Sequence, residues 1–173
     1  MRTIKKYNTE YKKKVDVWRD TYLTRMSPRE AIQCAGCGAF YHRRRWTLEP
    51  PAKFSRSRHT QAIFCPTCMK TRHRFPGGEV HLIGLQAVER DEVARILRNE
   101  ERRARAKNPL ERIMALHESN GRWKIETTTE KLAQRLGRSL KKARGGKLVY
   151  KWGHNNKFAR VIWTKTAGVG SRC

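Results

Sequence analysis

Hydrophobic and polar residues in the second half of the chain follow two alternating periods. A period of two residues predicts a strand with one buried face, and a period near 3.6 predicts a helix. They predict two helices, at residues 88–107 and 128–144. They also predict five strands, at residues 79–84, 110–118, 122–127, 147–152 and 157–163, so that the order is strand, helix, strand, strand, helix, strand, strand. Asn120-Gly121, between the second and third of these strands, is a strong signal for a tight hairpin.

The first predicted helix carries a short apolar stripe of Val93, Ile96 and Leu97. Asn108-Pro109 ends it, because the residue before a proline is disfavoured in helical conformation. Acid-before-base spacing of four residues predicts two exposed ion pairs, Asp91–Arg95 and Glu101–Arg105.

The second predicted helix follows Thr127-x-x-Glu130, which matches a capping box, and ends at Gly145-Gly146. Its spacing predicts a buried face made of Leu132, Ala133, Leu136, Leu140 and Ala143. The opposite face is rich in lysine and arginine. We therefore expect this helix to cover a sheet on one side and to present cations on the other.

These elements predict an α+β fold of two layers. The first six match the split βαβ, ferredoxin-like arrangement, and the seventh is expected to extend or edge the sheet. Four aromatic residues lie on the predicted strands: Trp123, Tyr150, Trp152 and Trp163. They could form a core under the helices or a surface that faces RNA. The core interpretation is favoured, because strand aromatics at a period of two are more often buried.

Ahead of this domain lie two further segments. Residues 1–33 carry a helix-like stripe of Tyr7, Tyr11, Val15, Trp18 and Tyr22, which favours a basic helix over a flexible arm. Residues 34–78 contain four of the five cysteines, the fifth being Cys173 at the C-terminus, and Pro76-Gly77-Gly78 marks a boundary. The predicted organisation is 1–33, 34–78, 79–163 and a C-terminal tail at 164–173.

Two Cys-x-x-Cys pairs organise residues 34–78: Cys34 with Cys37, and Cys65 with Cys68. Four thiolates complete a tetrahedral Zn²⁺ site and leave no position for substrate, so the spacing predicts one structural zinc ion in a zinc ribbon. A thioredoxin-like motif needs a single pair in a βαβ unit. Disulfides need an oxidising compartment and a secretion signal. A zinc deaminase needs His-x-Glu before its Pro-Cys-x-x-Cys, and this chain lacks it.

The net charge of the chain indicates which class of binding partner it favours. The chain has 173 residues and a net charge of +25, which favours a polyanion. Nucleic acid fits better than a membrane, because the sequence has no long lysine-rich amphipathic helix with a strongly apolar face and no apolar run that approaches 20 residues. Residues 34–78 hold nine basic side chains and one acid, whereas residues 79–107 are nearly neutral. The positive charge is thus concentrated in particular regions.

Candidate RNA-binding residues lie in these basic regions. Arginine is suited to bind phosphate because its planar guanidinium group donates several hydrogen bonds. Two interpretations of Trp46 remain open, stacking on bases or packing beside the metal. The candidates are Arg43, Arg44, Arg45, Trp46, Lys53, Arg56, Arg58, Arg72, Arg74, Arg138, Lys141 and Lys142.

Several motifs together resemble a family of small, poorly characterised bacterial zinc-ribbon proteins over residues 34–163. They are Cys34-x-x-Cys37-Gly38, Phe64-Cys65-Pro66-x-Cys68, Pro76-Gly77-Gly78, Asn99-Glu100-Glu101, Pro109-Leu110-Glu111-Arg112-Ile113, Thr127-Thr128-Thr129 with Leu132-Ala133-x-Arg135, and Val161-x-Trp163. More distantly, the chain is similar to the N-terminal zinc-knuckle region of the archaeal and eukaryotic export adaptor of the large ribosomal subunit. That adaptor has more Cys-x-x-Cys pairs, so at most one zinc carries over. The resemblance implies ribosome binding.

We therefore expect a cytoplasmic, non-enzymatic protein that binds ribosomal RNA as a ribosomal component, assembly factor or hibernation factor. It is expected to act as a monomer on its RNA, without a membrane or a small-molecule substrate. A DNA-binding transcription regulator is the alternative, although no helix-turn-helix or zipper pattern is present. A second alternative is an RNA-modifying enzyme, although the sequence shows no carboxylate pair, phosphate-binding loop or Ser/His/Asp set.

Overall fold

A computed structural model describes residues 22, 31–52, 54, 63–153 and 158–166. Within them the protein is α+β, with two sheets and three helices. The helices are α1 (Pro66–Arg72), α2 (Arg90–Lys107) and α3 (Glu130–Arg144). The strands are β1 (Ile32–Gln33), β2 (Phe40–His42), β3 (Arg45–Thr47), β4 (Gly78–Ile83), β5 (Ile113–Ser119), β6 (Arg122–Thr127), β7 (Lys147–Trp152) and β8 (Ala159–Thr164).

The first sheet is small and belongs to the cysteine-containing module. Its strands run in the order β1-β2-β3, all antiparallel. Strand β1 lies at the end of the segment 1–33 that the sequence predicts as N-terminal. Its residues Ile32 and Gln33 lie opposite Tyr41 and Phe40 of β2, so they form part of this sheet. The predicted helix over residues 1–33 otherwise lies outside the described residues. From its stripe only Tyr22 is described, and its ring lies 5.7 Å from those of His73 and Phe75.

The second sheet has five strands in the order β5-β6-β4-β8-β7. β8 runs parallel to β4, and all other neighbours are antiparallel. The expectation that the last strand extends or edges the sheet is therefore wrong, because β7 is at the edge and β8 is not. β8 is inserted between β4 and β7, in the place beside β4 that the sixth element occupies in a split βαβ arrangement. The Asn120-Gly121 hairpin is confirmed, since both residues have positive φ and join β5 to β6.

The helix face of the five-stranded sheet forms the main core. Val80, Ile125 and Val161 from the three inner strands are fully buried against Leu97 of α2 and Leu136 of α3. Trp123 and Trp163 join this core, which confirms the favoured interpretation for those two aromatics. Tyr150 and Trp152 differ from this pair. They lie opposite Val161 and Ala159 of β8 and therefore on the same face of the sheet as those buried residues, but both are exposed because β7 is an edge strand.

Helix α3 begins and packs for local reasons. Thr129 is its N-cap and accepts a hydrogen bond from the backbone N–H of Leu132, so the capping box predicted at Thr127 is wrong. The Thr127 hydroxyl instead donates to the carbonyls of Gly78 and Thr129. Four of the five predicted core positions are buried, namely Leu132, Ala133, Leu136 and Leu140. The fifth, Ala143 in the last turn, is exposed.

Several carboxylates of helix α2 and the loop after it bind to other elements, and Glu100 also contacts Arg103 along the helix at 4.0 Å. Within the described part of the chain neither Asp91–Arg95 nor Glu101–Arg105 forms the predicted ion pair. Glu101 accepts a hydrogen bond from the backbone N–H of Ile113 at 2.8 Å. Glu100 and Glu111 both bind Arg135 of α3, at 2.9 and 3.4 Å. These contacts fix α2 against α3 and the start of β5.

Candidate metal centre and basic surfaces

The two Cys-x-x-Cys pairs are placed by different local structures. Cys34 follows β1, and Gly38 closes the first turn with a φ of +73°, a conformation that glycine adopts without strain. Cys65 is the N-cap of α1, and Pro66 occupies the first helical turn. Cys68 therefore lies one turn into a helix that the sequence analysis did not predict.

The folded chain brings all four predicted ligands together. Their sulfur atoms lie within 4.8 Å of one another, with separations of 3.7 Å between Cys34 and Cys68 and 3.6 Å between Cys37 and Cys65. None of the four forms a disulfide. Cys34, Cys65 and Cys68 are buried and Cys37 is half-buried. The cluster could hold one metal ion.

Backbone N–H groups and one cation surround the sulfurs. The N–H of Cys65 donates to the sulfur of Cys34 at 3.1 Å, and the N–H of Cys68 donates to the sulfur of Cys65 at 3.4 Å. Arg112, from the loop before β5, donates to the sulfur of Cys68. Hydrogen bonds of this kind stabilise thiolate ligands and hold them in place.

The thiols differ in acidity. Burial raises the pKa of Cys34, but the backbone N–H groups of Cys65, Gly36 and Cys37 outweigh it and lower that pKa to about 7. Burial raises the pKa of Cys65 well above its ordinary value and raises that of Cys68 to about 11. A cation at the centre would favour ionisation of the remaining thiols, because it attracts the thiolate form.

A small apolar shell encloses the cysteines. Ala39 is buried with them, and Trp46, Phe64 and Leu110 pack against the group. Gly36 is also part of this packing, since a Cβ there would lie 2.9 Å from the sulfur of Cys68. Trp46 is therefore half-buried beside the candidate metal centre, 5.1 Å from the ring of Tyr41.

The cysteine module docks on the larger domain. The hydroxyl of Thr67 in α1 donates to the carbonyl of Leu110 at 2.7 Å, and the hydroxyl of Thr128 donates to the same carbonyl at 2.6 Å. One carbonyl thus links the second Cys-x-x-Cys turn to the loop before α3. Thr67, Leu110 and Arg112 were missed as site residues, because their role depends on contacts between distant parts of the chain.

Three candidate arginines form the β2–β3 hairpin. His42 and Arg45 pair across the two strands, and Arg43 and Arg44 form the two-residue turn. All three arginines are exposed, and the φ angles of Arg43 and Arg44 are +48° and +62°. Positive φ at both turn positions matches the twist of a hairpin, but glycine and asparagine adopt it far more readily than arginine. The turn therefore carries backbone strain at its most basic residues.

Five further candidates lie on two helices or directly after one of them. Arg72 and Arg74 are exposed at the end of α1, and the guanidinium of Arg72 lies 4.5 Å from the ring centre of Phe64. Arg138, Lys141 and Lys142 are exposed on α3. Lys53, Arg56 and Arg58 lie outside the described residues. The structure therefore places the described candidates on the hairpin, on α1 and on the outer side of α3.

Ion pairs distinguish these cations from those of the domain interior. Within the described ranges the hairpin arginines Arg43, Arg44 and Arg45 form no ion pair, and neither do the α3 candidates Arg138, Lys141 and Lys142. By contrast, Arg144 binds Glu89 and Glu92, and Lys165 also binds Glu89. The described carboxylates that take part in ion pairs are Glu79, Glu89, Glu92, Glu100, Glu111, Glu118 and Glu126.

Comparison with family models, curated proteins and solved structures finds no match to the chain. Among the helices described, none combines the length and the apolar character that a membrane span requires.

Proposed function

We propose that this protein is a zinc-stabilised, non-enzymatic RNA-binding protein that acts on the ribosome. The observation that carries the proposal is the position of the Arg43–Arg45 hairpin. It is exposed, free of ion pairs within the described residues, and held by a sheet that packs beside four convergent cysteines. A metal ion would keep this small module folded while its arginines remain available to phosphates.

Zinc suits the four cysteines by geometry. A Zn–S distance of about 2.3 Å in a tetrahedron corresponds to sulfur separations of about 3.8 Å. The separations of 3.7 and 3.6 Å agree with this, and the four sulfurs span no more than 4.8 Å. With four protein ligands no coordination position remains for substrate, which favours a structural role. Iron accepts the same ligands, so metal analysis of protein purified from its source decides between them.

RNA is the polyanion that the charge distribution favours. Exposed cations without an ion pair among the described residues lie on several elements, which include the hairpin, the end of α1 and α3. A surface that follows a phosphate backbone is expected to distribute its cations in this way. The ribosome is proposed because a net charge of +25 suits densely packed ribosomal RNA and because of the motif resemblance described above.

The test compares two triple variants that lose the same charge. Arg43, Arg44 and Arg45 are changed to alanine in one, and three exposed arginines of α2 (Arg95, Arg98 and Arg102) in the other. Binding to a ribosomal RNA fragment is measured by fluorescence anisotropy from 50 to 300 mM salt. We expect the hairpin variant to bind at least about tenfold more weakly and with a salt slope reduced by about 2, because three phosphate contacts are lost. The α2 variant should remain close to wild type.

Equal loss in both variants would mean that the charge acts without a defined site, and would contradict the proposal. Tighter binding to a specific DNA duplex than to RNA would favour a transcription regulator. The ribosomal part is tested by sedimentation of a cell lysate through a sucrose gradient. Protein that stays at the top of the gradient would exclude a stable association with ribosomal particles.

A further inference from the structure

A cleft of about 630 Å³ lies between the β2–β3 hairpin and the end of helix α2. It joins the two parts of the protein, because one wall belongs to the cysteine module and the other to the larger domain. Among the lining residues are His42, Arg43, Arg45, Trp46, Pro51 and Lys107. The volume falls within the range of sites that bind small molecules or single nucleotides.

The chemistry of the walls suits a planar anion. Two guanidinium groups and one ammonium group, from Arg43, Arg45 and Lys107, form no ion pair among the described residues. The lining contains one acid, Glu49. These cations attract phosphate, whereas the indole of Trp46 and the proline rings supply apolar surface.

Backbone groups add a means of recognition. β3 is an edge strand of its sheet, so part of its backbone N–H and C=O groups have no strand partner within the described region. Such groups form hydrogen bonds with the edge of a nucleobase once the base is unpaired. A base within a duplex cannot enter a concave site, because both of its faces are stacked.

We infer that this cleft binds one unpaired nucleotide, with its base against Trp46 and Pro51 and its phosphates on Arg43, Arg45 and Lys107. The inference rests on the proposed RNA-binding function and specifies its ligand as a bulged or single-stranded nucleotide. It also explains why cations of the cysteine module and of α2 are brought together.

The test fills the cleft without changing charge. Ala106 lines it and is exposed, so Ala106→Trp blocks the space and keeps every lysine and arginine. Ala87, exposed in the turn before α2, provides the matched control Ala87→Trp. The probes are an RNA hairpin with a single bulged 2-aminopurine, the same hairpin fully paired, and free adenosine monophosphate. Metal content and circular dichroism confirm that each variant is folded.

For the wild type and Ala87→Trp we expect affinity for the bulged hairpin at least about fivefold above that for the paired one, with a change in 2-aminopurine fluorescence. Ala106→Trp should lose this preference and keep its affinity for the paired hairpin, since its phosphate contacts are intact. Equal affinity of the wild type for both hairpins, or a preference that survives in Ala106→Trp, would overturn the inference and leave the proposed function standing.

A wild type that binds neither hairpin would contradict the proposed function. In that case free adenosine monophosphate, the third probe, tests by itself whether the cleft binds a nucleotide. Binding of adenosine monophosphate that Ala106→Trp abolishes would support a site for a free nucleotide, and the absence of such binding would overturn it.

Discussion

The guanidinium Nη1 of Arg112 lies 4.0 Å from the sulfur of Cys68, although the two residues are 44 positions apart in the chain. Four thiolates around a divalent ion carry two excess negative charges, which a nearby guanidinium offsets. The contact connects the stability of the candidate metal centre to the larger domain.

If the cysteines hold zinc as proposed, Arg112→Gln is expected to weaken its binding by about tenfold, because the thiolates lose a charged hydrogen-bond donor. Competition with a chromophoric chelator measures this. Arg122→Gln on β6 is the matched control, since Arg122 is exposed and has no contact with the cysteines. Equal zinc affinity of the two variants would show that Arg112 does not stabilise the site.

Cys65→Ser should reduce the metal content from one ion per chain to nearly none, because three thiolates and a hydroxyl form a much weaker site. The side chain of Cys65 is fully buried, so no outside ligand replaces it easily. Elemental analysis of the purified protein gives the result. Cys173→Ser should keep a full equivalent of metal, and loss of metal there would contradict the four-ligand assignment.

Replacing Arg43-Arg44 with Asn-Gly separates strain from function. The new pair adopts positive φ readily, so we expect the free energy of unfolding to rise by about 1 kcal/mol. Binding to RNA should weaken at the same time, because two exposed guanidiniums are removed. Lys-Lys at these positions keeps both the charge and the strain, and should change stability little. Urea denaturation and anisotropy measure the two effects, and unchanged stability of the Asn-Gly variant would show that the turn is not strained.

Glu79 makes the stability of the larger domain dependent on pH. Burial raises its pKa, but hydrogen bonds from His81, Lys124 and Arg160 outweigh this and hold the pKa at about 2, below its ordinary value of 4.5. Its contribution is therefore complete above pH 4.5 and is lost as the pH falls from 4.5 to about 2.

Glu79→Gln should lower the free energy of unfolding by about 2 kcal/mol at pH 7 and flatten its decline between pH 4.5 and 2. Low pH would release an ion held by the cysteines from wild type and variant alike, so the difference between their stabilities isolates the contribution of the carboxylate. Glu49→Gln, in an exposed loop, is the control. Parallel stability curves for wild type and Glu79→Gln would exclude this role.

Gly137 lies where α3 approaches the sheet most closely. A Cβ at this position would lie 2.5 Å from a methyl carbon of Val161 and 3.0 Å from one of Leu148. Gly137→Ala is expected to destabilise the protein by about 1–2 kcal/mol, because overpacking outweighs the gain in helix propensity. Ser139→Ala, on the same helix, should remain within about 0.5 kcal/mol. Thermal or urea unfolding tests both, and a stabilised Gly137→Ala would show that the helix shifts freely.

The sequence predicted most of what depends on local periodicity. Strand β6 and helix α3 were correct because their hydrophobic spacing extends over several turns or pleats. The prediction for Ala143 was wrong, because this residue lies in the last turn of α3 and is exposed. Helix α1 was missed, although Cys65 followed by Pro66 is a recognisable helix start.

Non-local features could not be predicted. The place of β8 depends on which strand edge is free once β4, β5 and β6 have paired, and nothing in residues 159–164 specifies this. The four cysteines were found because metal geometry imposes a spacing in the sequence itself. Arg112 and Leu110 carry no such spacing, so only the folded chain shows their contacts with the cysteine module.

The central position of β8 also has a consequence for synthesis of the protein. Until residues 159–164 emerge during translation, β4 has no parallel neighbour, and the β7 segment has only water for its backbone groups. A chain that stalls before this point exposes two unpaired edges and is prone to aggregation or degradation. Among the described strands, β8 is synthesised last and is the one that closes the domain.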